Sequence, residues 1–445
     1  MSCAQPPGED DSARPGGYKS AARARGAVEA AWRIEWPQLV AGLTRVTGDI
    51  DTAEELAQDA LVAALEQWPR EGIPAKPGAW LMVTAKRRGI DRIRRDATFA
   101  RKLPLLGHDL LTEEQTVYET PGASAELGIP DDLLRMMFTT CHPALSQQAQ
   151  VTLTLRMVGG LSVEEIGRAY VVPAASVAQR IVRAKRQIRE QRIPYEVPES
   201  SELAARLTAV LEVLYLIFNE GYAATSGDDW VRVELCDDAV RLARILSGLL
   251  PAEPEAHGLT ALLELQSSRV RARSDESNRL VLLPDQDRTR WDRLFVRRGY
   301  AALGLAHNAA LRRGVPPGRY ALQAAIAATH SMATSAADTD WRRIAGLYAI
   351  LAQRFPSPIV ELNRAVAVAM VHGPAAGLEL VDAIVAGGQL DGYHLRYAVR
   401  GDLLVRLGRR EEARTEFLRA AELTANAAER QLLSDRAADC ADDVG

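Results

Sequence analysis

Two stretches of this 445-residue chain carry residue types and spacings suited to gripping a polyanion. The first runs from Trp80 to a cationic end in which Lys86, Arg87, Arg88, Arg92, Arg94 and Arg95 fall within ten residues. On a helix Arg88, Arg92 and Arg95 share one face, while Trp80, Ile90 and Ile93 turn toward a core. A cationic stripe backed by apolar residues suits a phosphate backbone, although a solvated basic helix carries the same pattern. Asp91 reads as structural, pairing with a neighbouring arginine to orient the helix.

The second stretch covers residues 161–189. Ser162 and Glu165 have the spacing of a capping box for a short helix ending near Tyr170. Val171, Val172 and Pro173 make a turn, and a longer helix follows from Ala174. This is the spacing of a helix-turn-helix. Val177, Ile181, Ala184 and Ile188 would pack inward, leaving Ser176, Gln179, Arg180 and Arg183 together on the other face. Arginine can pair with guanine in the major groove and glutamine with adenine.

The elements that must position these residues are helical. Apolar residues make up 47% of the chain and aromatics 5%, with alanine and leucine abundant, which points to an all-α protein. Residues 52–68 show the clearest stripe, through Ala53, Leu56, Ala57, Ala60, Leu61, Ala64, Leu65 and Trp68. Thr52 with Glu55 reads as its capping box and Pro69 as its stop. Glu54, Glu55, Gln58 and Asp59 give this helix an acidic face. Residues 1–27 are rich in Pro, Gly and charge and are expected to be disordered; residues 99–130 read as a flexible acidic linker. Residues 194–198 punctuate a junction at Pro194 and Pro198, with the spacing of a hinge. From residue 201 to 445 the pattern is a further set of helices. Within it Gly401, Leu404, Gly408, Ala413, Phe417 and Ala420 follow the small-and-large spacing of a tetratricopeptide repeat, and residues 341–386 suit a degenerate neighbour.

An acidic amphipathic helix, a Trp-led basic helix, an acidic linker and a basic helix-turn-helix, in that order, resemble the core of extracytoplasmic-function (ECF) RNA polymerase sigma factors. The resemblance covers residues 28–192. It rests on Ala79-Trp80-Leu81 with Ile90 to Arg95, on Leu161-Ser162 with Glu165-Ile166-Gly167, and on Val177, Arg180 and Arg183 to Lys185. It implies a sigma region 2 over residues 28–98 and a region 4 over residues 131–192. The partners it implies are core RNA polymerase, through Glu54, Glu55, Gln58 and Asp59, and promoter DNA. Lys86, Arg87, Arg88, Arg92, Arg94 and Arg95 would serve the −10 element, and Ser176, Gln179, Arg180 and Arg183 the −35 element. The chain departs from the broad family at Arg87, where asparagine is common, and at Gly167, where alanine is usual. Promoter preference therefore does not carry over. The tail, with its Asn219 to Tyr222 and Leu283 to Arg288 stretches, resembles the long TPR-like extension of one sigma subgroup, which implies a regulatory domain with an intramolecular or protein partner.

Other chemistries fit less well. A net charge of −4 excludes a general polycation, so nucleic-acid binding must come from local patches. Cys3, Cys141, Cys236 and Cys440 are far apart, without metal or disulfide spacing, and no signal peptide or membrane span is visible. A reducing, cytoplasmic setting, no membrane partner, no cofactor, no metal and no catalysis are therefore expected. Cys141-His142 lacks a second ligand pair, and Asn219 to Tyr222 with Asp285 to Asp287 lacks a nucleophile, so both read as packed polar groups. Two rival readings remain: a polymerase-independent helix-turn-helix regulator with a ligand- or partner-sensing tail, and a helical scaffold or enzyme whose N-terminal half is an address.

Overall fold

Apolar residues at three- and four-residue steps make helices that must bury one stripe, and packing those stripes on one another yields an all-α chain. The computed structural model describes residues 15–95, 129–170, 172–224, 226–227, 231–275 and 279–442. The side chains of some helical residues, Ile90 to Arg95 among them, lie outside that description, as does nearly all of the expected acidic linker. The chain divides into two compact units: Met1–Ile166 with Ala174–Val210, and Gly167–Pro173 with Leu211–Gly445.

The first unit holds α1 (Pro15–Thr47), α2 (Ile50–Glu71), α3 (Pro77–Arg95), α4 (Ile129–Thr140), α5 (Gln147–Leu153), the first half of α6 (Val163–Tyr170), α7 (Ala174–Glu190) and the start of α8 (Ser200–Tyr222). Helix α1 begins at Pro15, so residues 15–27 are not the disordered segment expected; proline suits a first helical turn and an alanine-rich run follows it. The α2 cap also differs from expectation. Asp49 accepts from Thr52 N at 2.8 Å, in place of the Thr52/Glu55 box, and Pro69 sits inside the last turn, with Gly72 at φ +93° ending the helix. The core joins Trp36, Leu39 and Leu43 of α1 to Leu56, Ala57 and Ala60 of α2, Leu81 of α3 and Met136, Met137 and Phe138 of α4. The expected α2 stripe is buried except for Leu65. A single π-type turn, Thr154–Val158, follows α5.

The segment after α7 is tied down. Thr139 Oγ1 donates to the Pro194 carbonyl at 3.2 Å, and Tyr195 Oη reaches the Ala41 and Asp132 carbonyls at 2.8 Å. Arg206 donates to the Phe138 carbonyl at 2.8 Å. These bonds overturn the expected hinge at Pro194 and Pro198: the unit boundary falls inside α8, at Val210. The two prolines mark a loop, but its polar groups have partners.

The second unit continues through α9 (Val233–Leu249), α10 (Pro254–Ser267), α11 (Arg293–Arg313), α12 (Arg319–Met332), α13 (Trp341–Arg354), α14 (Pro358–His372), α15 (Pro374–Ala386), α16 (His394–Arg406), α17 (Arg410–Leu423) and α18 (Ala427–Asp442). From α13 onward consecutive helices pack on each other, as in a repeat array. A two-residue strand near its start, β1 (Ser226–Gly227), pairs in parallel with β2 (Ala425–Asn426) near its end. Asn426, fully buried, donates to the Ala224 carbonyl at 3.1 Å. Of the six repeat-like residues, Leu404, Ala413, Phe417 and Ala420 are buried, and Gly408 turns the chain at φ +77°.

Gly401 of α16 lies against Phe417 of α17. A Cβ there would meet Phe417 ring atoms at 2.7–2.9 Å, whereas one on Gly346 meets nothing within 4 Å. Gly401→Ala should therefore destabilise the second unit by about 1–3 kcal/mol through overpacking. Gly346→Ala should be neutral or stabilising by up to ~1 kcal/mol from helix propensity. Thermal melts of the two variants check the opposite signs.

Candidate nucleic-acid interface

The helix-turn-helix forms as its spacing predicts. Ser162 N donates to Glu165 Oε2 at 2.8 Å and Glu165 N to Ser162 Oγ at 3.1 Å, a reciprocal capping box. Val177, Ile181, Ala184 and Ile188 of α7 are buried. Ser176, Gln179 and Arg183 are exposed, and Arg180 is half-buried with Thr152 Oγ1 at 3.5 Å. The outward face of α7 thus offers hydroxyl, amide and guanidinium groups on a helix held rigidly from behind.

The basic helix is less uniform than its sequence suggests. Trp80 packs edge-on against Trp68 with ring centroids 5.6 Å apart, and Leu81 and Ala85 are buried. Lys86, expected among the −10 residues, is only 8% exposed, bordering the Leu81/Ala85 side. Arg87 is exposed, and Arg88 donates to the Asp59 carbonyl at 2.9 Å. The side chains of Arg92, Arg94 and Arg95 lie outside the described residues.

The largest correction concerns the acidic face of α2. Glu55, Gln58 and Asp59 are exposed, but Glu54 is buried at 8% exposure. Arg156, from the π-type turn, donates to its Oε1 through Nε at 2.9 Å and also through Nη2, and Lys185 of α7 is bonded to Oε2. Lys185 further contacts Asp51 at 3.0 Å, which in turn holds Arg189 at 3.0 Å. Trp36 Nε1 donates to the Arg156 carbonyl at 3.3 Å, and the Arg156 guanidinium lies over its ring. Burial alone would push the Glu54 carboxyl up, but Arg156 and Lys185 outweigh it and hold the carboxyl below the usual range. The physical reason for the correction is that α2 presents two acidic edges, and the one bearing Asp51 and Glu54 faces α7. Arg156, the missed partner, carried a signal: it is a lone charge inside the apolar run 151–158, where burial demands a counter-charge.

The dismissed sites are packed groups. The Cys141 thiol lies 3.3 Å from Thr154 Oγ1 and burial pushes it up to about 11, while His142 Nδ1 accepts from Ala144 N. Glu220 pairs with Arg232, which also donates to the Ala169 carbonyl, and Gln286 Nε2 donates to the Val281 carbonyl. Among the described residues no three His, Cys, Asp or Glu side chains group as metal ligands, and no helix is long and apolar enough to cross a membrane.

Comparison with known families places two models in sequence order. Sigma-70 region 2 matches residues 35–98 and Sigma-70, region 4 matches residues 135–188. The chain belongs to the ECF-type sigma factors and carries an extra C-terminal domain. A family of unknown function, DUF6596, matches residues 206–307 within that addition. Among relatives, an uncharacterized protein of Rhizobium meliloti (strain 1021) is 44% identical over 398 residues, 88% of this chain and 91% of its own length. The probable ECF RNA polymerase sigma factor SigI of Mycobacterium tuberculosis is 30% identical over 173 residues, 38% of this chain and 57% of that protein. Helices α1 to α3 thus fall largely in the sigma region 2 match, and α4 to α7 in the region 4 match.

The Glu54 cluster has a measurable consequence. Glu54→Gln removes the carboxylate that Arg156 and Lys185 share, leaving Lys185 with Asp51, and should cost about 3–5 kcal/mol of first-unit stability. Because the folded carboxyl is depressed, its contribution is complete above the ordinary value of 4.5 and is lost as pH falls through the lower folded value. Denaturant melts from pH 7 to pH 3 should show wild type losing more stability than Glu54→Gln over the acid part of that range. Equal acid losses would show that Glu54 does not carry the effect.

Proposed function

We propose that this sigma factor binds core RNA polymerase through the exposed Glu55, Gln58 and Asp59 edge of α2 and directs promoter-specific initiation. Region 2 would engage the −10 element through the Arg87/Arg88 end of α3 and the following arginines, with Lys86 and Glu54 in structural roles. Region 4 would place α7 in the major groove of the −35 element. The observation that carries this reading is the outward face of α7, where Ser176, Gln179 and Arg183 are exposed on a helix whose other side is buried. The mechanism is binding: the protein tethers the polymerase to duplex DNA and, through region 2, holds unpaired bases as the strands separate. Gln179→Ala should relax discrimination at one −35 position by about 1–3 kcal/mol, if its contact is bidentate. Arg88→Ala should instead weaken binding evenly across sequences and lower the salt slope. Binding titrations on cognate and scrambled promoters at several salt concentrations separate the two behaviours. A uniform loss from Gln179→Ala would remove α7 from base reading.

The ion cluster adds a constraint. Elements at −10 and −35 are separated by about 25 base pairs, on the order of 85 Å of duplex at 3.4 Å per pair. Glu54 of region 2 meanwhile touches Arg156 and Lys185 of region 4 directly. Both regions cannot hold their elements while that contact stands, so the arrangement described here is the promoter-free one and the cluster opens on engagement. The C-terminal domain is read as regulatory, and the grouping of Gly167–Pro173 with it supports a role in setting that balance. Energy transfer between dyes at Glu66→Cys and Arg186→Cys, in a Cys3→Ser background, should be high in the free protein. It should fall when core polymerase and promoter are added together. Undiminished transfer in an active initiation complex would overturn the opening step.

A further inference from the structure

The second unit contains a cavity of 220 Å³ between α8, α10, α12, α13 and α14 that the promoter-binding reading does not use. Its polar wall includes Gln266, Arg269, Gln323, His330 and Tyr348, and no Asp or Glu lines it. Arg269 is set in place by its surroundings. Its guanidinium lies 5.8 Å from the Tyr222 ring centroid and 5.9 Å from that of Trp291, and Gln266 Oε1 accepts from it. Among the described residues no carboxylate pairs with Arg269, although a guanidinium carries five donors in a fork that matches a carboxylate. A second cation, Arg288, stands behind this wall; it donates to the His330 and Ala333 carbonyls and to Thr339 Oγ1.

His330 supplies an independent observation. It is 91% buried by its 9% exposure, it packs edge-on against Trp341, and its Nδ1 has no hydrogen-bond partner. Burial first, then the charges of Arg269 and Arg288, lower its pKa to about 3, so the ring is neutral at ordinary pH. Burial likewise pushes the Tyr348 hydroxyl up to about 12, so it stays a neutral donor. A wall that holds the Arg269 charge without a carboxylate beside it, and an unmatched His330 Nδ1, is suited to an anion. The rest of the wall mixes Tyr215 and Asn363 with an apolar strip from Leu262, Leu283, Ile326 and Ala327. The cavity has room for a small organic molecule of roughly ten non-hydrogen atoms.

We propose that this cavity binds a small organic monocarboxylate, with Arg269 holding the carboxylate and Leu262, Leu283 and Ile326 receiving its apolar body. The occupant would enter a domain that already groups with Gly167–Pro173, which makes the cavity a chemical input to the extension. Binding needs neither polymerase nor promoter, so it is tested separately from the sigma function.

The experiment is calorimetry and saturation-transfer NMR on the full-length protein with benzoate, phenylacetate and 3-methylbutanoate. Benzamide serves as the uncharged match, and inorganic phosphate as the alternative anion. At least one carboxylate should bind, with benzamide at least tenfold weaker. Arg269→Gln should weaken that carboxylate at least tenfold, with an unchanged melting profile in the absence of ligand. Ala327→Met, which adds bulk to the cavity wall, should also abolish binding, and it decides the matter if Arg269→Gln does not fold. Binding that survives both substitutions, equal binding of amide and acid, binding of phosphate alone, or no binding by any of the three carboxylates would overturn the proposal.

Discussion

A single carboxylate, Glu54, receives hydrogen bonds from two cations that lie 102 and 131 residues further along the chain. The contact is between groups that are all nearly closed to water, so the geometry must be good for it to stabilise at all. Arg156 meets that demand by also donating to the Leu161 carbonyl, and its own carbonyl accepts from Trp36. Lys185 meets it by sharing Asp51 with Arg189 at the exposed end. The cluster therefore grades from a closed ion pair to a surface one. Its inner part fixes α2 against α7 and the turn bearing Arg156, and its outer part is open to competition from salt and from other charged partners.

That grading bears on function because a sigma factor must hold two separated promoter elements with one chain. A wholly apolar interface between regions 2 and 4 would have no reason to yield to a polyanion. Lys185 and Arg189 lie on α7, the helix whose outward face bears Ser176, Gln179 and Arg183, and both are held by carboxylates of α2. The acidic edge of α2 and the basic groups of α7 are thus mutually satisfied in this arrangement.

The C-terminal domain meets a different constraint. A helical array grows by neighbour contacts and has two ends, yet here Ser226 and Gly227 near its start pair with Ala425 and Asn426 near its end. Asn426 reinforces the closure by bonding the Ala224 carbonyl from a fully buried position. Closing the array limits how far its helices can splay, and this is the setting in which a cavity lined from several helices keeps its shape. Arg269 shows the same economy of motion, held between two rings and an amide rather than by a carboxylate.

What the sequence determined by itself is what depends on neighbours three and four residues apart. The capping box at Ser162 and Glu165, the inward set Val177, Ile181, Ala184 and Ile188, and the Gly401/Phe417 approach were all legible, because helical periodicity is a local property. The same periodicity placed Glu54, Glu55, Gln58 and Asp59 on an acidic face without saying which edge meets another helix. Only the tertiary structure buried Glu54 and Lys86, turned Pro194 and Tyr195 from a hinge into an anchored loop, and joined Asn426 to Ala224. Each of these outcomes depends on a partner more than 50 residues away or on which side of a helix is covered. A charge inside an apolar run, such as Arg156, announces that a partner is required; chain folding alone decides which one it is.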